Sequence, residues 1–147
     1  MDETSARLHL PLLTAAQAQK ETTHNEALAL IDLALHPAVA EIGIHTPPPA
    51  PTVGDAWIIG IEPTGAWVGR QGMLAGWTNG GWRYVRPVEG MAVCRIEDGM
   101  VARFVSGAWH AATATVPEPT GGTTIDAESR TAIAVIVAVL RLHGLSS

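Results

Sequence analysis

The sequence predicts an α+β fold. Its centre is a small antiparallel, Trp- and Gly-rich β domain, barrel- or sandwich-like, with an N-terminal helix before it and an oligomerising C-terminal helix after it. Three observations predict this. All five tryptophans (Trp57, Trp67, Trp77, Trp82, Trp109) fall between Gly54 and Trp109, among glycines and turn signals. Two dipeptides, Asn79-Gly80 between "MLAGWT" and "GWRYVRP" and Asp98-Gly99 between "MAVCRIE" and "MVARFV", suit type I′ hairpin turns, because Asn, Asp and Gly tolerate positive φ. Helical patterns stand on both sides of this stretch. A two-residue loop at Asn79-Gly80 sets Trp77 opposite Trp82 and Ala75 opposite Tyr84, with Trp77, Trp82 and Tyr84 on one face.

Taken in order, residues 1–37 form an arm and a helix. "RLHLPLL" alternates enough to lie extended along something else. Thr14 is a good N-cap, with Gln17 completing a capping box. Ala27, Leu28, Ile31 and Leu35 follow helical spacing, and Lys20, Glu21 and Asn25 lie mostly elsewhere. A helix this polar in its first half suits contact with another chain. Residues 38–110 form the β domain, opening with the strand "AVAEIGI". "HTPPPAP" then makes a stiff connector, because proline lacks the amide donor. "DAWIIGI" is a strand, "EPTG" suits a type I turn with Pro63 second and Gly65 last, and "AWVG" returns as strand.

Residues 111–124 are a Thr/Pro/Gly linker, and residues 125–147 a terminal helix. Asp126 caps that helix, Glu128 and Arg141 suit its two ends, and Gly144 fits the position just past its last turn. The run "AIAVIVAV" also suits a strand, but caps and length decide for helix. Little of its circumference is polar, and a helix apolar all round must be buried all round. Self-association through Ile133, Ile136, Val137 and Leu140 answers that need; the alternative is folding back over an open face of its own β domain.

A chain of 147 residues suffices for one core, and 47% hydrophobic with 16% charged residues argues against disorder. The net charge of −5 leaves no basic footprint for a nucleic-acid partner. Cys94 stands alone, which excludes an intrachain disulfide framework and cysteine-rich zinc sites. "MDETSARLHLPLL" carries acidic residues where a leader is basic, and "AIAVIVAVL" is too short to cross a bilayer. The expectation is a protein made in the cytoplasm without a signal peptide and with no membrane partner.

The six histidines show no metal-ligand spacing, and no nucleophile elbow, phosphate-binding loop or dinucleotide fingerprint is present. Among Asp55, Glu62, Glu89, Glu97 and Asp98, nothing singles out an acid and a nucleophile for glycoside cleavage. The reading assigns no catalytic residue, no metal and no cofactor. Trp57 and Trp67 read as core. For Trp77, Trp82 and Tyr84 two roles stand side by side, core or an open face that stacks on a sugar or a partner.

"LPLLTAAQAQKETTHNEALALID", "GDAWIIG", "TGAWVGRQGMLAGWTNGGWRYVRPVEGM" and "AESRTAIAVIVAVLRLHGL" together resemble a family of uncharacterised phage-type proteins. Its members occur in prophages and in the gene transfer agents of alphaproteobacteria, where they resemble head-spike and tail-fibre components. The resemblance covers nearly the whole chain from Leu10 and transfers no catalytic residue. It implies a homo-oligomer, trimer or pentamer, carried on a phage-like particle that leaves the cell by lysis. With no long shaft and no large distal domain in the sequence, it implies a base or adaptor joining a capsid vertex or tail to a longer fibre protein. The competing reading is a carbohydrate-binding module gripping host surface polysaccharide through Trp77, Trp82 and Tyr84. A polysaccharide-degrading enzyme is the third.

Overall fold

The strand signals resolve into two four-stranded sheets and two helices in a computed structural model that describes residues 4–13, 20–111 and 116–146. Helix α1 spans Lys20–Ala34; the proposed cap at Thr14 and its partner Gln17 lie outside the described residues. The strands are β1 (Ala38–Val39), β2 (Glu41–Ile44), β3 (Ala56–Ile59), β4 (Leu74–Thr78), β5 (Gly81–Val85), β6 (Ala92–Arg95), β7 (Val101–Val105) and β8 (Ala108–Ala111). Helix α2 spans Ala127–Leu142. One sheet runs β1-β6-β7-β8 and the other β2-β3-β4-β5. The α+β class stands, with both sheets mixed where an all-antiparallel domain was expected.

Two pairings, β1 with β6 and β2 with β3, are parallel. The reason lies in the connectors. Residues 45–55, with three consecutive prolines, form neither helix nor strand and carry the chain back to start β3 beside β2 in the same direction. A parallel pair needs such a crossover, where a hairpin needs only a short turn. The run Ala38–Ile44 divides at Ala40, whose N–H donates to Ala56 O at 2.8 Å. Its first part therefore belongs to one sheet and its second to the other. Gly43 (φ 82°) bulges in the β2–β3 ladder, and a Cβ on Gly60 would stand 2.2 Å from Gly43 O, so only glycine fits there.

The Asn79-Gly80 hairpin has the expected register, Trp77 opposite Trp82 and Ala75 opposite Tyr84. Its turn is not type I′: neither Asn79 nor Gly80 has positive φ, Gly81 at the start of β5 takes it instead at 90°, and Thr78 Oγ1 donates to Gly81 O at 2.8 Å. The Asp98-Gly99 loop is longer than two residues, closed by Gly99 N–H on Arg95 O and by the Arg95–Asp98 ion pair. A turn with two positive φ values does occur, at Ser106 (52°) and Gly107 (80°) between β7 and β8. "EPTG" is not a type I turn, since Thr64 is extended (φ −112°, ψ 171°). "AWVG" makes no strand; Gly65–Trp67 form a single 3₁₀ turn, with positive φ at Gly65 and Gly69 breaking any extended run.

Two clusters hold the domain. Val39, Val93 and Ala102 from one sheet meet Ala56, Ile58 and Leu74 from the other, with Leu33 of α1 joining them. On the far face of the second sheet, Trp57, Ile59 and Ala75 pack with Trp67, which the 3₁₀ turn folds over them. Burying a side chain such as Ile58 or Leu74 contributes about 1.5–3 kcal/mol. The second sheet is thus covered on both faces.

Helix α2 stands differently. Asp126 caps it as expected, accepting from Ser129 N–H at 2.9 Å. Leu145 N–H donates to Leu140 O and Gly144 N–H to Arg141 O, with Gly144 at φ 64°, the paired bonds of a glycine-terminated helix. Its seat on the β domain is this last turn: Val101 N–H donates to Gly144 O at 3.2 Å. Arg130 donates to Pro119 O and Gly121 O, binding the linker along one side of the helix.

Candidate functional site

The face expected to carry Trp77, Trp82 and Tyr84 exists, and its rings are half-buried. Trp82 lies edge-on to three other indoles, 5.0 Å from Trp77, 5.1 Å from Trp67 and 5.6 Å from Trp57 between centroids. Such tilted contacts add about 0.5–1.5 kcal/mol each beyond burial. Trp57 and Trp67 are buried, as the sequence suggests. The Trp67 Nε1–H is itself buried without an acceptor among the described residues. Tyr84 Oη–H donates to Ala66 O at 2.8 Å, and the Arg70 guanidinium sits 4.7 Å over its ring. Burial pushes the Tyr84 phenol up, with Arg70 opposing. The 3₁₀ segment thus caps part of this face and leaves the edges of Trp77 and Trp82 accessible.

The N-terminal arm is not extended. Thr4 bridges to Pro11, and Ser5 N–H donates to Leu10 O at 3.0 Å, so the segment forms a folded loop against α1. Asp32 holds it there. This buried carboxylate accepts from Ser5 Oγ (2.7 Å), Arg7 N–H (3.0 Å) and Leu8 N–H (2.6 Å). The Arg7 guanidinium meanwhile donates to Asp32 O, Leu33 O and His36 O at the end of the helix. The arm does lie along something, and that something is its own helix.

These contacts turn α1 around. Of the helically spaced apolar residues, Leu28 is half-buried and Ala27, Ile31 and Leu35 look outward, Ile31 and Leu35 nearly half exposed at 49% and 48%. The inward face is Glu26, Ala29, Asp32 and Leu33 instead. Leu33 fits over Gly76, where a Cβ would stand 2.6 Å from Leu33 Cδ1. Glu26 and Arg83 form a two-pronged ion pair at 2.5 Å for each bond. The Arg83 hydrogen bonds hold the Glu26 carboxyl below its ordinary range, and Glu26 raises Arg83 in return. None of this was read from the sequence. The available signal was Asp32 itself, an acid inside the apolar run "ALALIDLAL" that demands a partner once buried.

Three of the five carboxylates weighed as catalytic candidates serve the backbone, and the other two, Glu62 and Glu97, are exposed. Glu89 accepts from Ser106 N–H, and Asp55 accepts from Thr52 N–H at 2.9 Å. Asp98 accepts from Met100 N–H and Arg95, whose hydrogen bonds hold its carboxyl down to about 2. Among the described residues, no group of three or more His, Cys, Asp and Glu is placed to hold a metal ion, and no helix is long and apolar enough to cross a membrane.

The expected self-association seam of α2 divides. Val137 is buried and Leu140 half-buried on the side of the helix toward Arg130 and the linker. Ile133 and Ile136 are exposed, and with Val135, Val139 and Leu142 they leave most of the helix circumference bare. On the side of Val137 and Leu140 the linker is tied to the helix through Arg130, whose guanidinium donates to Pro119 O and Gly121 O.

A two-sheet domain with a tryptophan cluster, one helix tethered across it and one standing off it, is the class of protein this geometry defines. The sequence model of the family described as "Protein of unknown function (DUF2793)" matches residues 24–110, from within α1 to β8, and the chain belongs to this family. No curated protein matches the chain.

Proposed function

We propose that this protein is an oligomeric structural component of a phage-like particle, a base or adaptor that joins a head spike or tail fibre to its seat. The observation that carries the reading is the pair of apolar helix faces left bare on either side of a domain held by two packed clusters. Ile31 and Leu35 on α1, and Val135, Ile136, Val139 and Leu142 on α2, are exposed together. Contiguous exposed apolar surface marks a contact with another protein. Asp32, Asp55, Glu89, Asp98 and Asp126 are occupied in holding the arm, the turns and a cap, which suits a part made to be assembled. The motif set that resembles head-spike and tail-fibre components supplies the particle. In this reading α2 meets α2 of other copies, the trimer or pentamer of the assembled base. The outward face of α1 meets a capsid-vertex or tail protein, and the longer fibre is joined beyond.

Light scattering across a dilution series tests the assembly. The full chain is expected to sediment and scatter as a stable trimer or pentamer, and Val139→Asp, at an exposed position, to reduce it to monomer with unchanged circular dichroism. A wild-type chain that remains monomeric at every concentration overturns the self-association. Mass spectrometry of purified nuclease-resistant particles tests the location, which fails if the chain does not copurify with them.

A further inference from the structure

A groove of about 470 Å³ opens between the ends of the two sheets, within the range of about 300–1,000 Å³ common to small-molecule sites. One wall comes from β2 and β3, the other from the β7–β8 hairpin with Phe104, Ala108 and Trp109. Its lining contains no Asp, Glu, Lys or Arg. The ligand that suits it is therefore uncharged.

The polar side chains in the groove are His45 and Gln71. His45 Nδ1 meets Ile61 O. A carbonyl only accepts, so Nδ1 carries the proton and Nε2 keeps a lone pair in the neutral ring. The Gln71 amide makes no hydrogen bond among the described residues and offers both donors and an acceptor. A hydroxyl, which both donates and accepts, answers both groups. Trp109 is half-buried and fixed: its Nε1–H donates to Gly72 O at 2.9 Å, and its ring lies edge-on to Phe104 at 5.4 Å. Glycines keep the walls low. Gly43, Gly72 and Gly107 all have positive φ, and nothing lies within 4 Å of where a Cβ would stand on each. At these three positions no side chain stands between a ligand ring and the backbone.

We propose that this groove binds a neutral saccharide, with a pyranose C–H face against Trp109 and hydroxyls on Gln71 and the His45 Nε2. The site is separate from the Trp77, Trp82 and Tyr84 face and does not depend on the particle reading. The test is a titration of the ¹⁵N-labelled full chain with methyl α-glucopyranoside, methyl β-galactopyranoside and N-acetylglucosamine. Glucuronic acid and glucosamine serve as charged controls. A saturable shift of the Trp109 indole resonance is expected with at least one neutral sugar, with Kd in the millimolar range of a single-ring contact. Ala108→Arg, at an exposed position on the groove wall, and Gln71→Ala should each weaken it by about tenfold or more. The other four indole resonances report that both variants stay folded. The proposal is overturned if no neutral sugar gives a saturable shift, if the shifts centre on Trp77 and Trp82, if the charged sugars bind as well, or if Ala108→Arg binds like the wild type.

Discussion

The two helices are nearly equal in length, 15 residues in α1 and 16 in α2, yet the chain holds them by opposite means. Helix α1 is tied along its length by polar groups from two separate segments: the arm, through Asp32 and through Arg7 at the helix end, and the β5 strand, through Arg83 on Glu26. Helix α2 is fastened to the β domain at one end, through Gly144 on Val101. The first arrangement sets which way a helix faces, whatever its hydrophobic stripe prefers. The second leaves a helix body free to meet something else. Directional bonds decide orientation here, and apolar area decides what remains to be covered.

Three changes break or sharpen that contrast. Asp32→Ala leaves Ser5 Oγ and two backbone N–H groups without their acceptor, and each unsatisfied buried donor costs about 1–3 kcal/mol. With part of the arm relaxing into water, urea unfolding should show a loss of about 3 kcal/mol. A loss below about 1 kcal/mol would mean that packing alone orients α1.

Gly144→Ala strikes the other helix. An added Cβ would stand 2.4 Å from Gly99 O, at a φ that alanine tolerates poorly. A non-glycine residue in that region costs about 1–3 kcal/mol. Hydrogen exchange should speed up at the Val101 amide and the last turn of α2, with the β4–β5 ladder unchanged. Equal loss of protection in the two sheets would show that α2 is integral to the core.

The smallest effect is a pH dependence. The Glu26 carboxyl is held below its unfolded value, so its contribution is complete above the ordinary carboxylate range and disappears as pH falls through the lowered folded value. For a partly exposed pair this amounts to about 0.2–1 kcal/mol. Glu26→Gln should flatten that part of the stability-versus-pH curve, lowering the neutral arm by that amount and meeting the wild type in acid. An unaltered curve would remove this ion pair from the set that holds α1.

The hairpin register was legible in the sequence because a two-residue loop and a period of two leave few choices. The turn type was not. Three candidate residues, Asn79, Gly80 and Gly81, tolerate positive φ, and only the folded ladder decides that Gly81 takes it. The α2 caps were legible because Asp126 and Gly144 act within a few residues of themselves. The inward face of α1 was not, since its partners Ser5, Arg7, Leu8 and Arg83 lie 24 to 57 residues away in the chain. Trp67 was legible as core but not as a plug in a 3₁₀ turn, because "AWVG" carries strand-forming residues whose flanking glycines decide otherwise.

The run from Ala38 to Ile44 serves both sheets, and this has a mechanical side. Tension arriving from α1 through Pro37 meets the β1–β6 ladder first, whose bonds it loads in shear and all together. The same strand continues into β2, so a pull strong enough to strip it from one sheet also strains the other. A chain laid out this way resists being drawn out by its amino-terminal end until both ladders have yielded.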